Sequence, residues 1–160
     1  MIKLVNTVGF IIVNNRNEIL LQRKNVEAPE VKLEPGLLSA NKNKDEGAAE
    51  EWTLFLRSVE DDEDPRKAIK KNIKKELGGE TENCNYFNLY FYPISDNFIK
   101  KAIYFFGNVK GDLKSAENGK IKWVDLESET INSLNIPPEQ KEVLLDFSNF
   151  VQDKFLEKIE

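Results

Sequence analysis

Apolar and polar positions change their spacing several times along the chain, and each change marks an element. Thr7 to Val13 (TVGFIIV) is apolar and β-branched, and Glu18 to Lys24 (EILLQRK) has the same strand character. Between them Asn14-Asn15-Arg16-Asn17 supplies residues that tolerate left-handed backbone, so the two segments read as a hairpin. In Ala48 to Val59 (AAEEWTLFLRSV), Trp52, Phe55, Leu56 and Val59 recur at i, i+3, i+4 and i+7, which predicts a helix. A second helical stripe follows in Glu63 to Gly79 (EDPRKAIKKNIKKELGG), where Ala68, Ile69, Ile73 and Leu77 line one side. Asp64 suits the N-cap, Pro65 stands where a missing N–H costs nothing, and Gly78-Gly79 stops the helix.

After Gly79 the spacing shortens. Asn85 to Pro93 (NYFNLYFYP) and Phe98 to Val109 (FIKKAIYFFGNV) read as strands around a turn at Ser95-Asp96-Asn97, and Ile121 to Leu126 (IKWVDL) as a short alternating one. A long last helix starts at Asn135 to Pro138, with Val143, Leu144, Phe147, Phe150, Val151 and Phe155 on a wide apolar face. The order of elements predicts an α/β (α+β) fold, a mixed sheet flanked by helices. Residues 1–160 read as a single domain carrying an insertion at about 41–62.

Composition narrows the chemistry. A net charge of −5 with both signs interspersed argues against a nucleic-acid footprint, and the aromatic strand over 85–93 has no interleaved basic residues of the kind that base stacking would need. The absence of histidine removes histidine bases and histidine-ligated zinc, and the single Cys84 removes thiolate clusters and internal disulfides. A metal would therefore need oxygen ligands, which points to magnesium, manganese or calcium. No apolar run approaches the roughly 18 residues of a bilayer span. The start of the chain lacks the pattern of a signal peptide, so a cytoplasmic setting is expected.

The motif around the second helix resembles that of the Nudix superfamily, G-x5-E-x7-R-E-U-x-E-E-x-G-U, with U a bulky aliphatic residue. Laid on the chain without a gap, Glu63, Ile73, Glu76 and Gly78 match it. Lys71 stands for the arginine, Asn72 and Lys75 replace two glutamates, Arg57 stands at the first glycine and Gly79 at the last aliphatic position. The flanks extend the likeness over nearly the whole chain: VGFIIVNNRNEILLQRK resembles the family's first hairpin, PGLLSA its PGLW-like strand, and IKWVDLES its late strand before the C-terminal helix. The resemblance implies an α/β/α sandwich and hydrolysis of a nucleoside diphosphate linked to another group, with Mg2+ or Mn2+ held by helix glutamates. It makes Glu76 and Glu63 the candidate catalytic and metal residues, and Arg23, Lys71, Asn72 and Lys75 the candidate substrate contacts.

Positions 72 and 76 are one helical turn apart and share a face. Where the family pattern has three glutamates, Asn72, Lys75 and Glu76 together carry no net charge. Each unit charge about 4 Å from another is worth on the order of 4 kcal/mol at an effective dielectric near 20, so a standard metal centre is expected to be absent or badly weakened. Asp45, Glu46, Glu50, Glu51, Asp61 and Asp62 could rebuild a carboxylate site, or the pocket could bind phosphate through Lys71 or Lys75. Three readings stay open: a divergent hydrolase, an inactive domain binding a nucleotide or nucleotide-sugar without a cofactor, and a structural or interaction module. The expected partner is a small nucleotide derivative, with no membrane and no specific nucleic acid; a homodimer is left open.

Overall fold

A computed structural model describes residues 2–23, 51–111, 113 and 121–159. Its main sheet has four strands in the order β4 (Phe55–Ser58), β1 (Lys3–Ile12), β7 (Phe98–Gly107), β6 (Asn85–Ser95). β1 lies parallel to β7 and antiparallel to β4, and β6 is antiparallel to β7, so the sheet is mixed. A second, antiparallel sheet joins β3 (Trp52–Thr53), β2 (Glu18–Arg23) and β9 (Ile121–Asp125). Two short strands, β5 (Glu80–Thr81) and β8 (Val109–Lys110), pair by themselves.

The alternation of β1 explains why helices lie on both sides. Val8, Phe10 and Ile12 face one way and meet Ile69, Ile73 and Leu77 of α1 (Pro65–Leu77) in a fully buried cluster. Ile11 faces the other way and joins Ala102, Tyr104, Val143, Leu144 and Phe147, with Ile131 of α2 (Ser128–Ser133) and the long α3 (Pro138–Ile159) closing that layer. The result is the expected sandwich of a mixed sheet between helices. α1 begins as its sequence predicts: the Asp64 carboxylate accepts from Arg66 N–H at 2.9 Å, with Pro65 at the first helical position. It ends at Gly78, in the left-handed conformation at φ 74°, whose N–H donates to the Ile73 and Lys74 carbonyls.

Two expectations are corrected. The predicted helix over 48–59 is, from Trp52 on, a pair of strands, while residues 48–50 lie outside the described part of the chain. The chain crosses from one sheet to the other at Leu54, which belongs to neither ladder. Its N–H instead donates to the buried Gln140 Oε1 at 2.7 Å, and Gln140 Nε2 donates to Thr53 Oγ1 at 2.9 Å. Residues 52–53 thus belong to the second sheet and residues 55–58 to the main one. β1 and β2 do not form a hairpin ladder either. They meet at the single bridge Val13–Ile19, beside the Asn14-to-Asn17 turn in which Asn17 has φ 59°, and then diverge into different sheets. The short α2 has no counterpart among the elements expected from the sequence.

No helix among the described residues is long and apolar enough to cross a membrane.

Candidate functional site

α1 lies over β1 and β4, and this places its last turn against the side chains of β4 that face it. Arg57 sits opposite Val8 in the β1–β4 register, two residues from Phe55 opposite Phe10, so both side chains point toward α1. The Arg57 guanidinium lies 4.3 Å above the Phe55 ring and meets the Glu76 carboxylate side by side. Nε donates to Oε2 at 2.7 Å, Nη2 donates to Oε1, and Nη1 donates to the Leu56 carbonyl. This is a two-pronged ion pair held in orientation by an aromatic face and a backbone acceptor. The two side chains are only 30% and 23% exposed, so water screens them incompletely. Burial draws the guanidinium pKa below its ordinary value, yet it stays charged at any pH a protein meets.

The remaining predicted residues distribute around this pair. Asn72 is half-buried one turn before Glu76, while Lys71 and Lys75 are exposed on the same helix. Glu63 is exposed and precedes the helix; its Oε1 accepts from Glu60 N–H at 3.1 Å, closing the loop ahead of α1. Pro65 and Glu76 lie eleven positions apart, which at 1.5 Å per residue separates the two ends by about 17 Å. Glu63 and Glu76 are therefore at opposite ends of α1. Arg23 is on the other sheet, at the end of β2 opposite Trp52. Asp45, Glu46 and Glu50 lie outside the described residues, as does the PGLLSA stretch. Asp61 is engaged elsewhere, its carboxylate accepting from the Asn6 side chain.

Among the described residues the donor set around Glu76 does not fit a divalent ion. Magnesium and manganese need several oxygen ligands converging on one point. At the family's helix positions the chain offers one carboxylate, already neutralised by a guanidinium, one carboxamide and one ammonium. Among the described residues no three aspartate, glutamate or cysteine side chains converge. Arg57, the partner of Glu76, is the residue to which the sequence alone gives no role. The signal was its place at the motif's first glycine, but only its strand geometry brings it to Glu76.

Beyond the C-terminal end of α1 a cleft of about 370 Å³ opens, lined by Val13, Asn14, Asn15, Asn108, Gly111 and Trp123 among others. Trp123 is 37% exposed there, and a side chain at Gly111 would come 3.8 Å from the Gly78 carbonyl, so the cleft adjoins the helix end.

Comparison with known proteins bears on the fold. The solution structure of the E. coli ORF135 protein superposes with a TM-score of 0.68 at 19% identity, over 91% of this chain and 89% of that one. The MutT protein from Methanosarcina mazei Go1 gives 0.66 at 19% identity, over 92% and 95%. MutT described from Aliivibrio salmonicida and Vibrio cholerae gives 0.63 at 15% identity, over 89% and 94%. At such identities these likenesses speak for the fold alone. No curated protein matches the chain. The NUDIX domain family, whose hydrolases generally use a divalent metal, matches residues 3–147, and on that match the chain belongs to the Nudix family.

Proposed function

We propose that this chain is a Nudix domain that binds a small nucleoside diphosphate derivative and does not hydrolyse it by the family's metal-dependent route. One observation carries the reading: Glu76, the helix glutamate retained from the motif, is held on both oxygens by Arg57. A carboxylate in a two-pronged guanidinium pair has its charge offset by its partner, which weakens its pull on a cation. Asn72 and Lys75 supply no replacement charge.

Two features support ligand binding at this end of the molecule. The cleft beside Trp123 has the volume of a small-molecule site, and its asparagines combine donors with acceptors, as recognition of a neutral base or sugar requires. The lysines of α1 provide cations on the same helix.

The test is a panel of nucleoside diphosphate derivatives. Calorimetry on the full chain should give saturable binding, and product analysis with Mg2+ or Mn2+ should show no turnover above a Glu76→Gln control. Turnover that Glu76→Gln abolishes restores the hydrolase reading. Absence of binding across the panel, with and without metal, removes the proposal.

A further inference from the structure

The Arg57–Glu76 pair does more than occupy a former ligand. A divalent ion held by carboxylates would supply positive charge to a phosphate; a guanidinium supplies it from one residue, because its donors point outward along separate edges. Arg57 has five N–H donors. Three are engaged: Nε and one on Nη2 by Glu76, one on Nη1 by Leu56. Among the described residues two are left, one on each terminal nitrogen, on a side chain still 30% exposed.

The local charge also favours an anion. Arg57 and Glu76 cancel, and Lys75 adds a cation on a flexible stem one residue away, with Lys71 a turn before it. Glu76 then acts as the group that orients the guanidinium, and the Phe55 ring beneath it fixes the plane. A bare arginine would swing through many rotamers; one gripped by a carboxylate, a carbonyl and a ring presents its outer edge in one direction.

Building on the proposed reading of this helix as a ligand site, we infer that Arg57 is a resident cation replacing the divalent ion. With Lys75 it receives the phosphates of the ligand directly, so that binding requires no metal.

Inorganic pyrophosphate is the probe, titrated calorimetrically into the full chain at low salt in the presence of EDTA. The expected result is saturable binding that added Mg2+ does not strengthen. Removing the cation with Arg57→Gln should weaken it by about tenfold or more, the range of a lost charge-assisted hydrogen bond. Glu76→Gln is the arm that separates ligand contact from scaffolding. If Arg57 meets the phosphate, Glu76→Gln keeps one oxygen acceptor for the guanidinium and relieves a nearby negative charge, so binding falls much less than in Arg57→Gln. If the pair is only structural, both variants lose binding together, and the inference is overturned. Thermal melts verify that each variant folds, and Arg57→Lys, which keeps the charge without the fork, should fall between wild type and Arg57→Gln.

Failure to bind pyrophosphate without metal, or full binding by Arg57→Gln, also overturns it. The nucleotide reading fails separately. If nucleoside diphosphate derivatives bind equally well to Arg57→Gln, that reading stands and this inference falls. If pyrophosphate binds through Arg57 and no nucleoside derivative does, this inference stands and the nucleotide reading falls.

Discussion

Replacing Gln140 with leucine tests how the main sheet is joined to the second one, and hence what holds β4 and Arg57 in place. Gln140 is 6% exposed on α3, and its side chain reaches the point where the chain leaves β3 for β4. Leu54 is 1% exposed, and its N–H has the Gln140 carbonyl oxygen as acceptor at 2.7 Å. Leucine keeps the approximate volume and removes both polar atoms. The buried Leu54 N–H is then unsatisfied, at a cost of about 1–3 kcal/mol. The lost bond from Nε2 to Thr53 Oγ1 adds roughly 1 kcal/mol, because that hydroxyl keeps the Leu54 carbonyl as a partner. The sum, about 2–4 kcal/mol, lowers Tm by roughly 4–16 °C for a chain of this size. Urea unfolding should show the midpoint falling with the slope unchanged, since the same surface is exposed. A loss below about 0.5 kcal/mol, within the ordinary range for surface changes, would refute the claim that this amide satisfies the crossing.

Two further predictions concern the sheets. A Cβ at Gly107, the last residue of β7, would stand 2.1 Å from the Asn83 carbonyl oxygen, a backbone atom that no rotamer change can move. Gly107→Ala should cost about 1–3 kcal/mol in urea unfolding, and an unchanged midpoint would contradict the packing described. Burial, with nearby carboxylates adding to it, raises the phenol pKa values of Tyr90, Tyr92 and Tyr104, that of Tyr92 to about 12. Unfolded tyrosines titrate at about pH 10, so above that pH the unfolded chain holds fewer protons than the folded one and stability falls. The contribution is complete below about pH 10 and is lost toward about pH 12, so Tyr92→Phe should flatten the alkaline limb of stability against pH. An alkaline limb identical in the variant would show that Tyr92 is not involved.

The parts of the fold legible in the sequence are those where one local rule acts alone. Asp64, Pro65, the stripe from Ala68 to Leu77 and Gly78 each satisfy one helical requirement, and α1 has those bounds. The helical expectation fails from Trp52 to Ser58 because a strand that changes sheets buries successive residues, here Leu54 and Phe55, and so loses its twofold alternation. The spacing of Trp52, Phe55 and Leu56 then imitates a helix. The same misreading concealed the site. Glu76, Asn72 and Lys75 could be placed on α1 from spacing, but the role of Arg57 depends on β4 lying beside β1 beneath α1, a relation between segments distant in sequence. The hairpin expectation fails for a related reason: the Asn14-to-Asn17 turn is present, yet β1 pairs with β7 and β2 with β9.

Paramagnetic titration with Mn2+ alone addresses the central claim most directly, because it asks whether Glu76 belongs to a metal or to Arg57. With the wild-type chain at millimolar Mn2+, the electron paramagnetic signal of the free ion should remain, and Glu76→Gln should not change it. The combined Arg57→Gly, Asn72→Glu and Lys75→Glu variant, which releases Glu76 and returns two carboxylates to its side of the helix, should quench that signal. Stoichiometric Mn2+ binding by the wild-type chain that Glu76→Gln abolishes would contradict the account.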